Sequence, residues 1–288
     1  MSTVKDVLKG WLIPPKIYKK VSSLKRGLIK KEIEENDDYS FFKGNFKRRC
    51  FIVASGPSIL KQDLKLLKDE YVIAVSHAHK HKDISLISPK YHVLAPFHHP
   101  FTFDDAKKYF DDFQKVYDAN KTEIYLGHRT YKYSFKNFLE RFPKYNSFQY
   151  NYIDYSNSSQ LDELNVGLSS TWDIGKKPFE CRTVIYSAIL LAVNKGFKKI
   201  YLLGCDHDYL YSKKRLEGNR FYSDKDGIDD KIHLEAFDSE RWYFEYYMRW
   251  KQYRLMRDHL SKYGIEIINA TEGGHLDVFP RVKYESLF

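Results

Sequence analysis

From residue 50 to residue 270, short apolar runs alternate with stretches in which apolar residues recur every three or four positions. Cys50–Ala54, Tyr71–Val75, Tyr91–Ala95, Glu123–Leu126, Lys199–Leu203 and Ile265–Asn269 predict strands. Ile59, Leu60, Leu64 and Leu67 predict a helix directly after the first strand. Phe103–Tyr117, Arg182–Lys195 and Glu240–Tyr263 predict three more. Several strands are uninterrupted apolar runs, the pattern of strands buried on both faces. Strands of this kind alternating with helices indicate an α/β fold, a mostly parallel sheet with helices on both faces.

Two regions depart from this alternation. Residues 127–181 are irregular and read as a smaller lid-like insertion. Within them Tyr131, Tyr133, Phe135, Phe138, Phe142, Tyr145, Phe148, Tyr150 and Tyr152 are interleaved with Lys and Arg. A single-strand nucleic-acid platform, a lid over an acceptor sugar and ordinary packing all fit that pattern. At the N-terminus, Val4, Val7, Leu8, Trp11 and Leu12 form one apolar stripe and Ile17, Tyr18, Val21, Leu24 and Leu28 a second, split by Pro14-Pro15. Residues 32–47 are polar and mixed in charge. Residues 1–47 thus read as a basic amphipathic segment with a linker, and 48–288 as one domain.

Charge sharpens the picture at that N-terminal segment. The chain carries a net +10, and residues 1–31 hold nine Lys or Arg against Asp6 alone, which accounts for +8 of it. The body is near neutral, so a general nucleic-acid-binding surface is disfavoured. Basic amphipathic helices with a Trp on the apolar side suit an anionic membrane surface. Docking on the body or on a second subunit, as in a homo-oligomer, is the alternative. No apolar run approaches the roughly 18–20 residues of a spanning helix, and no secretory leader is evident. Cys50, Cys181 and Cys205 lack paired spacing, which argues against a disulfide framework or a cysteine zinc site and for a reducing compartment. The expected location is cytoplasmic, peripheral on the inner face of the plasma membrane.

Two segments carry candidate chemistry. The first is the turn Ser55-Gly56-Pro57-Ser58 after the first strand. A small residue there lets backbone approach a phosphate, and a following helix N-terminus would favour the anion. The turn has neither G-x-G-x-x-G nor a Walker lysine, so dinucleotide and P-loop sites are disfavoured. The second is Tyr201–Tyr209, where an apolar strand ends at Gly204 and delivers Asp206, His207 and Asp208 to the carboxyl edge of the sheet, where ligands of open α/β sheets bind. Asp206 and Asp208 have the spacing of a metal-binding pair, and also that of an ordinary loop. His77, His79 and His81, at period two, would share one face of a strand, a spacing that could ligate a metal. His98-His99 would lie at the same sheet edge, and His275 with Asp277 is a further base candidate.

In that order along the chain, three stretches resemble bacterial sialyltransferases of glycosyltransferase family 42. They also resemble the wider superfamily of motility-associated nonulosonate transferases and 6-hydroxymethylpterin diphosphokinase-like proteins. The stretches are Ile52–Ser58; Arg182-Thr183 with its apolar helix, Gly196–Gly204 and Asp206; and the segment bearing Tyr209, Tyr211, Tyr222 and His233. The chain departs from the family pattern at Thr183-Val184-Ile185, Ser76-His77 and Ala95-Pro96.

The resemblance implies a Rossmann-like glycosyltransferase. It would move a nonulosonic acid, sialic acid foremost, from a CMP-activated donor to a surface glycan or lipid-linked acceptor, with inversion. It implies His233 as the base and Tyr209, Tyr211 and Tyr222 as donors to the leaving phosphate. Ser55, Gly56, Pro57, Ser58, Ser76, His77, Thr183, Gly204 and Asp206 would hold the nucleotide. No cofactor and no obligatory metal are implied. The alternatives are diphosphate transfer from ATP to a small heterocycle, and a non-catalytic glycan or membrane interaction module.

Overall fold

The computed structural model describes residues 47–155, 172–179, 182–208, 221–222 and 239–288. Seven strands form one sheet: β1 (Lys47–Val53), β2 (Tyr71–Val75), β3 (Tyr91–Leu94), β4 (Glu123–His128), β5 (Gln149–Asp154), β6 (Phe197–Leu203) and β7 (Glu266–Asn269). Their order is β5-β4-β3-β2-β1-β6-β7 and every neighbouring pair is parallel. The fold is therefore the expected Rossmann-like α/β type. Among the described residues the α-helices are α1 (Ile84–Ile87), α2 (Phe103–Val116), α3 (Phe135–Arg141), α4 (Val184–Asn194) and α5 (Ser239–Leu260).

Alternation along the central strand β1 explains the layers. Cys50 and Ile52 face one side with α4 and Tyr253 and Met256 of α5. Phe51 and Val53 face the other, with Phe110 and Phe113 of α2 and Phe135 and Phe138 of α3. Each such side chain, fully buried, contributes about 1.5–3 kcal/mol. Helix α4 is buried along nearly its whole length, from Ile185 to Val193, because it lies over the middle of the sheet. That is why its sequence is apolar all round rather than striped. Among the described residues no helix is long and apolar enough to cross a membrane.

Three sequence expectations change here. The segment from residue 127 does not begin as a lid: residues 123–154 build β4, α3 and the edge strand β5 of the sheet. Its aromatics are largely packing, with Phe135, Phe138, Tyr145 and Phe148 buried. The helix expected after β1 is two short 3-10 turns, Pro57–Lys61 and Leu64–Leu67, because the strand must turn back to β2 within a short span. His77, His79 and His81 do not line a strand face. They lie in and just after the 3-10 turn Ser76–Lys80, with the His77 and His79 rings 5.7 Å apart and His81 against Phe221. Among the described residues no group of three or more His, Cys, Asp or Glu is placed to hold a metal.

Candidate functional site

The chain runs from β1 outward to β5 and then returns to place β6 on the other flank of β1. The crevice at that reversal, beyond the carboxyl ends of the strands, is where open α/β sheets bind ligands. A cleft of about 190 Å³ opens there. Ala54–Gly56 after β1, Val75 and Ser76 at the end of β2, Thr183–Ile185 at the start of α4, and Gly204–His207 after β6 line it.

Asp206 holds its floor together. Its carboxylate accepts the Ser58 backbone N–H at 3.1 Å and the Ser58 hydroxyl at 2.7 Å. Its carbonyl accepts the His275 backbone N–H at 2.7 Å. Burial pushes the Asp206 carboxyl pKa up, and the Ser58 hydrogen bonds oppose that. Gly56 is glycine for the same reason. A Cβ there would lie 1.9 Å from Asp206 Oδ2 and 2.4 Å from the Gly204 carbonyl oxygen. The Gly56 N–H donates to that carbonyl at 2.9 Å. Gly56 thus lets two strand ends close on each other, and its N–H is engaged within the protein rather than offered to a phosphate.

The helix start that faces the cleft is that of α4, not the turn after β1. Thr183 caps α4, its hydroxyl accepting from Ile185 N–H. The Tyr186 N–H is taken by the Thr183 carbonyl at 3.2 Å, which leaves the Val184 N–H in the first turn for a ligand, and the helix start carries partial positive charge. Ser55, Ser76 and Thr183 add hydroxyls to the lining. Asp206 is the one carboxylate among the described lining residues, and no Lys or Arg is among them.

Histidines build the β2 wall. Ser76 adopts φ 47°, a left-handed conformation that is uncommon for serine. Its carbonyl accepts from His92 Nε2 at 2.9 Å and from His79 Nδ1 at 3.1 Å. The bond to the Ser76 carbonyl fixes the His92 tautomer, so His92 Nδ1 accepts the Tyr117 hydroxyl at 2.8 Å. Burial holds the His92 pKa well below the ordinary histidine value, keeping the ring neutral. His207 behaves alike on the β6 side. It has φ 51°, its Nε2 lies 3.0 Å from the Tyr253 hydroxyl, and its carbonyl accepts from the Tyr246 hydroxyl. Burial, followed by the nearby Arg249 charge, lowers its pKa to about 3.

The sequence matches the family model for 6-hydroxymethylpterin diphosphokinase MptE-like proteins over residues 28–212, from ahead of β1 to beyond the cleft residues that follow β6. The chain belongs to this MptE-like family. Among solved structures, the sialyltransferase CST-II, in complex with a trisaccharide acceptor and CMP, matches with a TM-score of 0.43 and 16% identity, covering 81% of this chain and 85% of that one. No curated protein matches the sequence.

In this MptE-like chain, Ser55, Gly56, Ser76, Thr183, Gly204 and Asp206 meet at the cleft. Pro57 and Ser58 do not line it. Ser58 lies beneath, with N–H and hydroxyl both on Asp206. His77 stands behind Ser76, 3.1 Å from the Tyr109 hydroxyl, with the Tyr222 ring 4.7 Å away. Tyr222 is held at the rim because the Phe221 N–H donates to the Ser55 carbonyl at 3.2 Å, and Lys80 Nζ lies 4.5 Å over its ring. Asp277 accepts the Trp250 indole N–H at 2.8 Å. Tyr209, Tyr211, His233 and the N-terminal helices lie outside the described residues. Sequence reasoning gave His207 and Cys205 no role of their own and missed the pinning of Ser76 by His92. His207 and Cys205 stood in a segment already singled out, whereas nothing in sequence links His92 to Ser76.

Proposed function

We propose that this chain is a glycosyltransferase that takes a nonulosonic acid, sialic acid foremost, from a CMP-activated donor. The observation that carries the reading is the cleft at the β1/β6 reversal, with the α4 start and three hydroxyls facing it and no lysine or arginine among its described lining. Such a lining suits a single phosphate, which helix-terminal N–H groups and hydroxyls can hold without a cationic clamp. The acceptor hydroxyl oxygen attacks the anomeric carbon from the face opposite the nucleotide. Its proton passes to His233, the bond from that carbon to the phosphate oxygen breaks, and CMP departs as a phosphate monoester with inversion. Tyr222, with Tyr209 and Tyr211, donates to the charge that grows on that phosphate. No divalent ion is required. The acceptor is a surface or lipid-linked glycan, and residues 1–31 hold the enzyme on the anionic inner face of the plasma membrane.

The family description favours a second reading, transfer of diphosphate from ATP to the hydroxyl of a small heterocycle, which would call for a divalent cation. Thermal-shift titration with CMP, UDP, GDP and ATP, the last with and without Mg²⁺, separates the two. CMP should raise Tm most, and turnover should survive EDTA. A larger shift with ATP and Mg²⁺, or turnover abolished by EDTA and restored by Mg²⁺, would establish the second reading instead.

A further inference from the structure

A second concavity, of about 430 Å³, opens at the carboxyl end of β4. His128–Lys132 and the start of α3 line it, with Lys136, Asn137 and Glu140. It shares the ligand-binding edge of the sheet with the nucleotide cleft. β3 alone separates β4 from β2, so the pocket stands about two strand spacings, roughly 10 Å, from the β2 wall of the cleft and further from its β1/β6 centre.

Its charge is one-sided. Arg129, Lys132 and Lys136 share the described lining with a single carboxylate, that of Glu140. Neither Lys132 nor Lys136 has a carboxylate partner among the described residues; the Lys132 ammonium lies 4.6 Å over the Tyr133 ring. The frame is pinned. Asn137 Nδ2 donates to the carbonyls of Tyr131 and Lys132 at 3.2 and 3.1 Å. The Ser134 hydroxyl accepts the Asn137 N–H at 3.3 Å, and the Tyr131 hydroxyl donates to the Phe101 carbonyl at 2.8 Å. Cations gathered on a braced loop raise the local concentration of anions and lose little freedom when one binds.

We propose that this pocket binds a phosphate group carried by the acceptor. The assignment of that phosphate to the acceptor rests on the transferase reading above; the phosphate site itself does not. Two lysines without a carboxylate partner among the described residues, beside Arg129, match a multiply charged phosphate better than a single carboxylate. The spacing along the sheet edge places a phosphorylated acceptor beside the donor without overlap. Transfer would then favour acceptors bearing phosphate near the reacting sugar, such as a lipid-linked glycan.

Isothermal titration of the full chain with inorganic pyrophosphate, with and without saturating CMP, tests this. Pyrophosphate should bind in the presence of CMP, and acetate at the same concentrations should not. Lys132→Glu/Lys136→Glu should weaken pyrophosphate binding by about tenfold or more, and Lys132→Gln/Lys136→Gln by less. Lys65→Glu/Lys68→Glu, an equal charge change far from the pocket, should leave it within about twofold. Circular dichroism of each variant checks that it is folded. Binding abolished by CMP, equal weakening by the two Glu variants, or acetate binding as tightly as pyrophosphate would overturn the proposal. If CMP itself does not bind while pyrophosphate is still lost in the Lys132/Lys136 variants, the donor reading fails and the phosphate site stands.

Discussion

Ser58 and Asp206 are locked together across the ends of β1 and β6, the serine giving both its N–H and its hydroxyl to one carboxylate. The two strands that bound the cleft are thereby held at a fixed separation. Because Asp206 is buried and its pKa is raised by that burial, loss of a donor is felt twice, as a lost hydrogen bond and as a less solvated charge. Ser58→Ala should cost about 1–3 kcal/mol in denaturant unfolding and move the Asp206 pKa further up, readable by NMR. Gly56→Ala should cost more, since its Cβ would meet the Asp206 carboxylate. A Gly56→Ala loss below about 0.5 kcal/mol would be typical of an unconstrained surface site and would contradict this account of the glycine.

Neutral buried histidines make the fold acid-sensitive. The folded pKa values of His92 and His207 lie below their unfolded values. The unfolded chain therefore binds the extra protons, and stability is full above pH ~6.5 and lost as pH falls toward the folded pKa. For His207, with a folded pKa of about 3, the loss amounts to roughly 2 kcal/mol by pH 5. Urea unfolding between pH 7 and 5 should show it, and His207→Gln, though less stable at pH 7, should have a shallower pH slope. An unchanged slope in that variant would place the acid sensitivity elsewhere.

His92 also has a positional role. It donates to the carbonyl of a serine held at positive φ on the wall of the cleft. His92→Leu should weaken CMP binding by about tenfold, since a misplaced wall of even 1 Å is costly. His92→Gln, which keeps a donor, should recover part of that affinity. Equal affinities for wild type and His92→Leu in equilibrium titration would show that Ser76 needs no such support.

The central strands were legible because their inner parts are covered on both faces, so Cys50–Val53, Tyr71–Val75, Tyr91–Leu94 and Ile200–Leu203 are almost wholly apolar and the runs stand out. The edge strand β5 was not, because one flank is open and Tyr150, Tyr152 and their polar neighbours are only partly covered. Gly56 was legible as a special position, but its reason was not. The reason is Asp206, far along the chain, and only the fold brings the two together. The same holds for Gly274, where a Cβ would lie 2.6 Å from the Asp206 carbonyl oxygen. Sequence periodicity carries local covering and not which distant carboxylate a turn will meet.

The N-terminal segment offers a test that leaves the sheet intact. Removing residues 1–31 takes away +8 of charge and both apolar stripes. At about 1 kcal/mol per basic residue near an anionic surface, the truncated chain should lose nearly all affinity for phosphatidylserine-containing vesicles in a flotation assay. Its Tm should change little. Undiminished vesicle binding would move the membrane contact to the body, and loss of cooperative unfolding would show that this segment packs on it.

Tyr222 and His233 have separable parts in the proposed transfer. A general base acts in the transition state and contributes typically about 10²–10⁴-fold, or about 2.7–5.4 kcal/mol. His233→Ala should therefore lower kcat by that factor, leave CMP affinity nearly unchanged and remove the acidic limb of the pH–rate profile. Tyr222 is held at the rim through its neighbour Phe221 and the Ser55 carbonyl, so its ring should stay in place when its hydroxyl is removed. Tyr222→Phe should then lower kcat by about 10²–10³-fold, the cost of one donor to developing charge, and keep the acidic limb. If instead the limb vanishes in Tyr222→Phe, or persists in His233→Ala with more than about a tenth of wild-type kcat, the roles are misassigned. The base would then have to be sought at His275, whose N–H already binds the Asp206 carbonyl. His207, with a pKa of about 3, is too weak a base to take that part near neutral pH.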